Sequence, residues 1–406
     1  MSRTVAIVAA LDTKGDEAQL IKQVIESRGV DTLVIDVGVL GEPSIPGDVG
    51  RAEVAEAGGV SHADLVSSGD KGRAMATMTR GAAEIAARLY EEGRFQGIIG
   101  LGGTAGTAIG SSAMRALPVG VPKLLVSTVA SGDTRPYVGT KDITMMYSVV
   151  DIQGINRLSA EILTNAAGAI AGMVSVERPD VVERPMLAAS MFGNTTACVD
   201  AAQDILDAAG YEVLVFHSTG AGGQTMESLI TDGVFEGVLD VTTTEWADQL
   251  CGGVFDAGPE RLDAASRSGT PQVIAPGCLD MVNFGAPDTV PEKYAGRRLY
   301  EWNPNVTLMR TTPEENAELG RIIAEKANAS GGPVAILLPL KGVSQLDSPG
   351  GEFWWPEANA ALFDAIKDHA NDNVEVVELD HNINDPEFAE RATEMLLSML
   401  PSRTTV

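Results

Sequence analysis

The sequence predicts an α/β protein made of two Rossmann-like, doubly wound domains with mostly parallel sheets. Short β-branched runs alternate with helical stretches along the whole chain, which is typical of βαβ units. With 406 residues, the chain is longer than one hydrophobic core usually supports. The pattern breaks at ERPDVVERP, residues 177–185, and a complete α/β series starts again after it. We therefore predict two domains, 1–178 and 183–406, with a ligand cleft between them.

Each half contains its own set of predicted strands. The first set is Thr4–Leu11, Thr32–Val39, Gly97–Leu101, Lys123–Val129 and Thr144–Val149. The second set is Met186–Phe192, Glu212–His217, Gly237–Thr242, Gln272–Ala275, Val334–Leu338 and Val374–Leu379. Residues 41–72 are glycine-rich with two prolines, which predicts an insertion of loop with one short helix near Arg51–Ala57.

Composition narrows the classes of partner. The 56 acidic and 29 basic residues give a net charge of −27, which repels nucleic acids and anionic membranes, so we expect neither as a partner. Three scattered cysteines give no disulfide framework, and four scattered histidines show no zinc spacing. A secretory signal and an apolar run of about 20 residues are both absent from the sequence, so we expect a soluble, cytoplasmic protein.

The strongest local signal is the loop after the third predicted strand, Gly100 to Thr107. It reads GLGGTAGT and leads directly into a helix. Glycines allow a ligand to approach the backbone, and a helix N-terminus offers unpaired N–H groups to phosphate. The alternative is a tight turn needed only for strand–helix packing. We predict nucleotide-binding residues at Gly102, Gly103, Thr104, Gly106 and Thr107.

Known nucleotide motifs constrain the ligand. A dinucleotide site requires an acid about 20 residues downstream for the ribose, and neither Asp nor Glu lies between Gly106 and Asp133. A P-loop requires a Gly-Lys pair, which the sequence lacks. These absences disfavour NAD and exclude a P-loop, and they leave a mononucleotide held by a non-standard loop.

Polar residues follow the neighbouring strands of the first domain as well. DTKGDE follows the first strand, where Lys14 could neutralise phosphate and Asp12 or Asp16 could hold Mg²⁺ or a ribose hydroxyl. A capped helix start is the structural alternative. SGDT follows the fourth strand, and an ordinary turn is its alternative. We add Asp12, Thr13, Lys14, Ser131, Gly132 and Asp133 to the predicted nucleotide site.

The second domain also has polar strand ends, which predict a site for a small-molecule substrate, with an anionic substrate as one candidate. The loop HSTGAGG could hold a carboxylate or phosphate, with His217 as an acid or base or as a hydrogen-bonded structural residue. Lys341 follows the fifth strand and is a second candidate catalytic residue. Cys278 has no identifiable base, so a buried thiol is favoured over a nucleophile. The predicted substrate-binding residues are Asn194, Thr195, Ser218, Thr219, Gly220, Gly222 and Gly223.

Six segments together resemble the ATP-binding domain family of the tomato mosaic virus resistance protein. They are LDTKG, GLGGTAGT, STVASGDT, MYSVVDIQGINR, HSTGAGGQTME and LPLKGVSQLD, spread over both halves in matching order. The resemblance implies two Rossmann-like subdomains, ATP bound by the first, and a homodimer. Largely uncharacterised bacterial members bring no established reaction with them.

Three functions fit these observations. The first is an ATP-dependent enzyme of small-molecule metabolism that uses ATP with Mg²⁺ in an interdomain cleft. The second is a non-catalytic nucleotide-sensing or partner-binding module. The third is an ATP-independent hydrolase or lyase that uses His217 or Cys278.

Overall fold

The computed structural model describes residues 3–177 and 183–401. The chain divides into two compact units, Met1–Asp180 and Val181–Val406. Residues 178–182, on which the predicted domain boundary falls, lie outside the described residues. We refer to the two as unit 1 and unit 2 and describe each by itself.

Unit 1 contains a five-stranded parallel sheet. Its strands are β1 (Thr4–Ala9), β2 (Asp31–Asp36), β3 (Gly97–Gly102), β4 (Lys123–Ser127) and β5 (Thr144–Tyr147), in the order β2-β1-β3-β4-β5. The helices are α1 (Leu11–Glu26), α2 (Arg51–Ala57), α3 (His62–Ser68), α4 (Lys71–Glu91), α5 (Thr104–Arg115), α6 (Arg135–Val138) and α7 (Arg157–Ser175).

Alternate strand residues build separate cores on the two faces of this sheet, as the period of a β-strand requires. Val5, Ile7 and Ala9 pack with α1 and α7, whereas Ala6 and Val8 pack with α4 and α5. Helix α7 is, by length and composition, the one helix among the described residues that could cross a membrane. Leu163, Ile170 and Val174 of this helix form part of the core of unit 1.

Unit 2 contains a six-stranded parallel sheet. Its strands are β6 (Met186–Met191), β7 (Glu212–His217), β8 (Gly237–Thr242), β9 (Gln272–Gly277), β13 (Val334–Pro339) and β14 (Glu375–Leu379). Their order in the sheet is β14-β13-β9-β8-β6-β7. The helices are α8 (Thr196–Ala208), α9 (Ala221–Thr231), α10 (Glu245–Cys251), α11 (Asp263–Ser268), α12 (Pro313–Asn328), α13 (Pro356–His369) and α14 (Pro386–Met399).

The prediction of two doubly wound, mostly parallel α/β sheets is confirmed, and two details differ. Unit 2 carries a second, antiparallel sheet that the sequence analysis missed, formed by β10 (Met281–Phe284), β11 (Leu299–Asn303) and β12 (Val306–Arg310). Residues 41–72 contain two helices, α2 and α3, rather than one. Ser61 explains the second helix, because its side chain accepts a hydrogen bond from the Asp64 amide and caps it.

Candidate functional sites

Unit 1 places its predicted nucleotide loops at the point where the strand order reverses. In a sheet of order 2-1-3-4-5 this switch point lies between β1 and β3, and ligands of such folds bind outside it, at the carboxyl ends of the strands. Val8 pairs with Gly100, and Gly102 pairs with Ser127. The loops after β1, β3 and β4 therefore leave the same edge side by side.

Gly103 is the N-cap of α5, and its surroundings are open. Its φ of −75° and ψ of −162° are extended, and the cap supplies no side-chain hydrogen bond to the first turn of the helix. A Cβ on Gly103 would meet only the Thr128 hydroxyl, at 3.8 Å. By contrast, a Cβ on Gly102 would lie 2.8 Å from the Gly106 Cα, and one on Gly106 would lie 2.9 Å from the Leu101 carbonyl oxygen. Packing therefore explains Gly102 and Gly106 but leaves Gly103 unexplained.

The two threonines of this loop have different environments. Thr104 is exposed at the start of α5. Thr107 is fully buried, and its Oγ1 lies 2.6 Å from Ser127 Oγ and 3.4 Å from the Gly102 carbonyl oxygen. Its hydroxyl thus joins β3 to β4 inside the fold. Thr128, which the sequence analysis did not select, is the hydroxyl that faces Gly103.

The loop after β1 contains a carboxylate that accepts hydrogen bonds and a lysine whose ammonium has no polar partner among the described residues. Asp12 Oδ2 accepts hydrogen bonds from the amides of Val39, Leu40 and Gly41 at 3.1–3.2 Å, so Asp12 anchors the loop after β2. Lys14 is half-buried and interrupts α1 with φ −129° and ψ 19°. Its ammonium makes neither a hydrogen bond nor an ion pair within residues 3–177 and 183–401. Thr13 is exposed beside it.

Ser131, Gly132 and Asp133 all lie exposed in the loop after β4. Both carboxylate oxygens of Asp133 accept hydrogen bonds from the Arg135 guanidinium, each at 2.9 Å. These bonds lower the pKa of Asp133 below its usual value, so this carboxylate is ionised and already paired.

In unit 2, the glycine loop HSTGAGG surrounds a carboxylate of the chain itself. The amides of Gly220 and Gly223 donate to Glu245 Oε1 at 2.7 and 3.1 Å. A Cβ on Gly223 would lie 2.2 Å from Glu245 Oε2, and one on Gly222 would lie 1.8 Å from the His217 carbonyl oxygen. Ser218 is buried and donates to the Thr242 carbonyl. The loop has the anion-holding geometry that its sequence predicts, but Glu245 occupies it.

Glu245 belongs to a buried network centred on Arg261. The guanidinium donates to Asp240 at 2.5 and 2.7 Å and to Glu245 at 2.7 Å, and Glu227 lies 3.2 Å away. Burial raises the pKa values of Glu227 and Glu245, and Arg261 opposes that rise. Three carboxylates share one cation here, which ties β8, α9 and α10 together.

A cleft of about 700 Å³ lies at the carboxyl ends of β6, β13 and β14, and we call it the amide-rich cleft. Of the predicted residues it contains Asn194 and Lys341. Lys341 is half-exposed and forms an ion pair with Asp380 at 3.0 Å. The other polar lining residues, which were not among the predicted site residues, are Thr196, Asp200, Gln345, Ser348, Asn382, Asn384 and Asp385. The polar run 382–385 follows the last strand, and inspection of that strand end would have found it.

A second pocket of about 210 Å³, the aromatic pocket, shares Gly193 and Asn194 with the amide-rich cleft. His217 and Thr219 contribute to its lining. Its remaining walls are Phe192, Phe255, Trp302, Asn303, Val306 and Leu308, several of which belong to the antiparallel sheet. Thr195, by contrast, is buried and lies 2.8 Å from the Thr242 hydroxyl, so it supports the pocket from behind.

Cys278 lies at the carboxyl end of β9 and is fully buried with a φ of +59°. Burial, together with the nearby carboxylates of Asp280 and Asp347, raises the pKa of its thiol well above the usual value. A thiol in this environment does not ionise near neutral pH, so the arrangement is that of a structural residue rather than a nucleophile.

Two flavodoxin-type sheets, each with polar loops at the switch edge, define a two-domain Rossmann-like α/β protein. The chain belongs to the uncharacterised protein family UPF0261. The model of the family's N-terminal domain matches residues 3–179, and that of its C-terminal domain matches residues 184–400.

Proteins similar to this chain include some from bacteria and some from a plant. A UPF0261 protein of Clostridium tetani is 54% identical over 98% of this chain and 100% of its own length. The ToMV resistance protein Tm-1 of Solanum lycopersicum is 43% identical over 82% of this chain but only 45% of its own length. Among solved structures, a UDP-N-acetylglucosamine 2-epimerase matches with full coverage of both chains but with 10% identity and a TM-score of 0.24, which is too low for any functional argument.

Proposed function

We propose that unit 1 binds the phosphate groups of ATP, with Mg²⁺, at the loops after β1, β3 and β4, and that the chain is an ATP-dependent enzyme of small-molecule metabolism. One observation carries the proposal: Gly103 opens the start of α5 at the switch point, although packing does not require a glycine there. The uncapped amides of the 12-residue helix and its dipole favour an anion in that space.

Neighbouring side chains fit the same ligand. Lys14 offers a cation without a counter-ion among the described residues, and Thr104 and Thr128 offer hydroxyl groups. Asp133 would have to leave Arg135 before it could bind Mg²⁺. The family resemblance, rather than the geometry, distinguishes ATP from other phosphate-bearing ligands.

Introducing a negative charge at position 103 tests the proposed ATP site. Asp is a better N-cap than Gly, so Gly103→Asp should preserve or slightly raise stability while it places a carboxylate against the bound phosphates. We expect ATP affinity, measured by isothermal titration calorimetry with Mg²⁺, to fall at least about tenfold, which corresponds to about 1.4 kcal/mol. Gly50→Asp is the matched control, because Gly50 is also an extended N-cap, of α2, with open surroundings. Equal affinities for the two variants, or the absence of heat with the wild-type protein at millimolar ATP, would refute the proposal.

Turnover separates the enzyme from a nucleotide sensor. An ATP-dependent enzyme should release ADP faster once its second substrate is added, whereas a sensing module should bind ATP and hydrolyse it slowly under all conditions. The burial of Cys278 argues against a thiol-dependent hydrolase. If activity survived Gly103→Asp but disappeared with His217→Ala, the ATP-independent alternative would be correct.

A further inference from the structure

We propose that unit 2 contains a second ligand site, for a small organic amine whose apolar ring occupies the aromatic pocket and whose ammonium group lies in the amide-rich cleft. The two cavities meet at Gly193 and Asn194, which line both. A single ligand can therefore extend from one into the other. This proposal is independent of nucleotide binding by unit 1.

The aromatic pocket suits one ring. Phe192 makes edge-to-face contacts with His217, at a centroid distance of 5.4 Å, and with Phe255, at 6.0 Å. Trp302, which is 45% exposed, completes the aromatic lining at the tip of the β11–β12 hairpin. Because a cavity of about 150 Å³ can hold benzene, a pocket of about 210 Å³ has room for a ring of that size.

The charged residues that line the amide-rich cleft favour a cationic ligand. These residues are Asp200, Asp385 and Lys341. The cation of Lys341 is paired with Asp380, so the cleft retains a negative excess within a chain of net charge −27. An anionic substrate is repelled from such a cleft, whereas an ammonium group is attracted. His381, 3.7 Å from Asp385, offsets this excess only when it is protonated.

Hydrogen bonding favours the same ligand. Asn194 is 2% exposed, and its Oδ1 has no hydrogen-bond partner among the described residues. Asn384 Oδ1 is likewise buried without a partner in the described part of the chain, while its amide nitrogen donates to the Asn194 carbonyl. Both residues line the amide-rich cleft, and both unpartnered atoms are hydrogen-bond acceptors. A ligand that donates hydrogen bonds satisfies them, and a carboxylate does not.

Four probes applied to the full chain separate these contributions. 2-Phenylethylamine has both the ring and the ammonium group, 3-phenylpropanoate replaces the ammonium with a carboxylate, butylamine lacks the ring, and benzyl alcohol lacks the charge. We expect ligand-detected NMR titrations to show 2-phenylethylamine binding at least about tenfold more tightly than 3-phenylpropanoate or butylamine. Equal or tighter binding of the carboxylate would overturn the proposal.

Two variants locate the site. Asp200→Asn should reduce the preference for the amine over benzyl alcohol by about fivefold, in the range of a partly exposed charge pair. Asp204→Asn, one turn further along α8, is the control and should leave that preference unchanged. Trp302→Ala should weaken the binding of 2-phenylethylamine and of benzyl alcohol by about fivefold. Binding of butylamine, which has no ring, should not change. Equal effects of the two Asp variants would place the amine elsewhere.

Gly103→Asp keeps the two proposals distinguishable. Binding of 2-phenylethylamine should be unchanged in this variant, while ATP affinity falls at least about tenfold. Loss of amine binding in Gly103→Asp would contradict an independent site in unit 2.

Discussion

Asp280 should make unit 2 less stable as the pH rises towards neutrality. The residue is fully buried at the carboxyl end of β9, beside the carboxylate of Asp347. Burial and that neighbour raise its pKa from 3.8 to about 7, and the guanidinium of Arg310 opposes the rise. Ser344 donates a hydrogen bond to its Oδ2 at 2.9 Å. Two buried carboxylates therefore share one buried cation.

The sign and size of the effect follow from proton linkage. The folded state binds the Asp280 proton more tightly than the unfolded state does, so this stabilisation is present below about pH 4 and is lost as the pH rises through about 7. A rise of about three pKa units at about 1.4 kcal/mol per unit corresponds to about 4 kcal/mol. In Asp280→Asn the side chain is uncharged at every pH, and its amide oxygen can still accept the hydrogen bond from Ser344. Relative to the wild type, the variant should gain up to about 4 kcal/mol between pH 4 and pH 8.

Tryptophan fluorescence measures the free energy of unfolding of unit 2. The four tryptophans, Trp246, Trp302, Trp354 and Trp355, all belong to unit 2, so their signal reports unfolding of that unit alone. Urea titrations at pH 4.5, 6, 7 and 8 give the free energy of unfolding at each pH. Any pH-independent cost of the substitution cancels in the comparison. Asp204→Asn serves as the exposed control. A variant-minus-wild-type difference that stays constant with pH would refute the argument.

Other contacts give three further predictions. Arg261→Met leaves the buried carboxylates of Asp240 and Glu245 without their cation, so unit 2 should lose about 3–5 kcal/mol by the same fluorescence assay, and a loss below about 1 kcal/mol would contradict the network. Thr107→Val should lower the free energy of unfolding of unit 1 by about 1–3 kcal/mol, measured by circular dichroism, and should leave ATP affinity nearly unchanged. A loss of ATP affinity without a loss of stability would mean that the hydroxyl faces the ligand. Native protein should resist Ellman's reagent, because the three cysteines are buried and burial raises the pKa of Cys198 to about 12; rapid labelling would contradict this.

The parallel sheets were predictable from sequence because central strands such as β3, β8, β9 and β13 are short runs buried along their whole length and separated by helices. The antiparallel sheet was not, because β11 is largely exposed and β10 has only four residues. One local signal was available: Asn303-Pro304-Asn305 is a typical turn sequence, and it joins β11 to β12.

At the candidate sites, local sequence was not sufficient to predict which groups are available to a ligand. The glycine loop at 220–223 has the features of an anion cradle, but the carboxylate that fills it, Glu245, lies more than 20 residues away in sequence. Similarly, Thr107 resembles a phosphate contact until its bond to Ser127 is known. Sequence identifies groups that can bind, and only the fold shows which of them are already occupied by the protein.

A crystal structure of the full chain with Mg²⁺ and a non-hydrolysable ATP analogue tests the central claim most directly. The account predicts phosphate density at the start of α5, within hydrogen-bond distance of the amides of residues 104–106 and beside Gly103. Nucleotide density confined to unit 2, or a start of α5 that stays free of phosphate when the analogue is bound elsewhere, would contradict it.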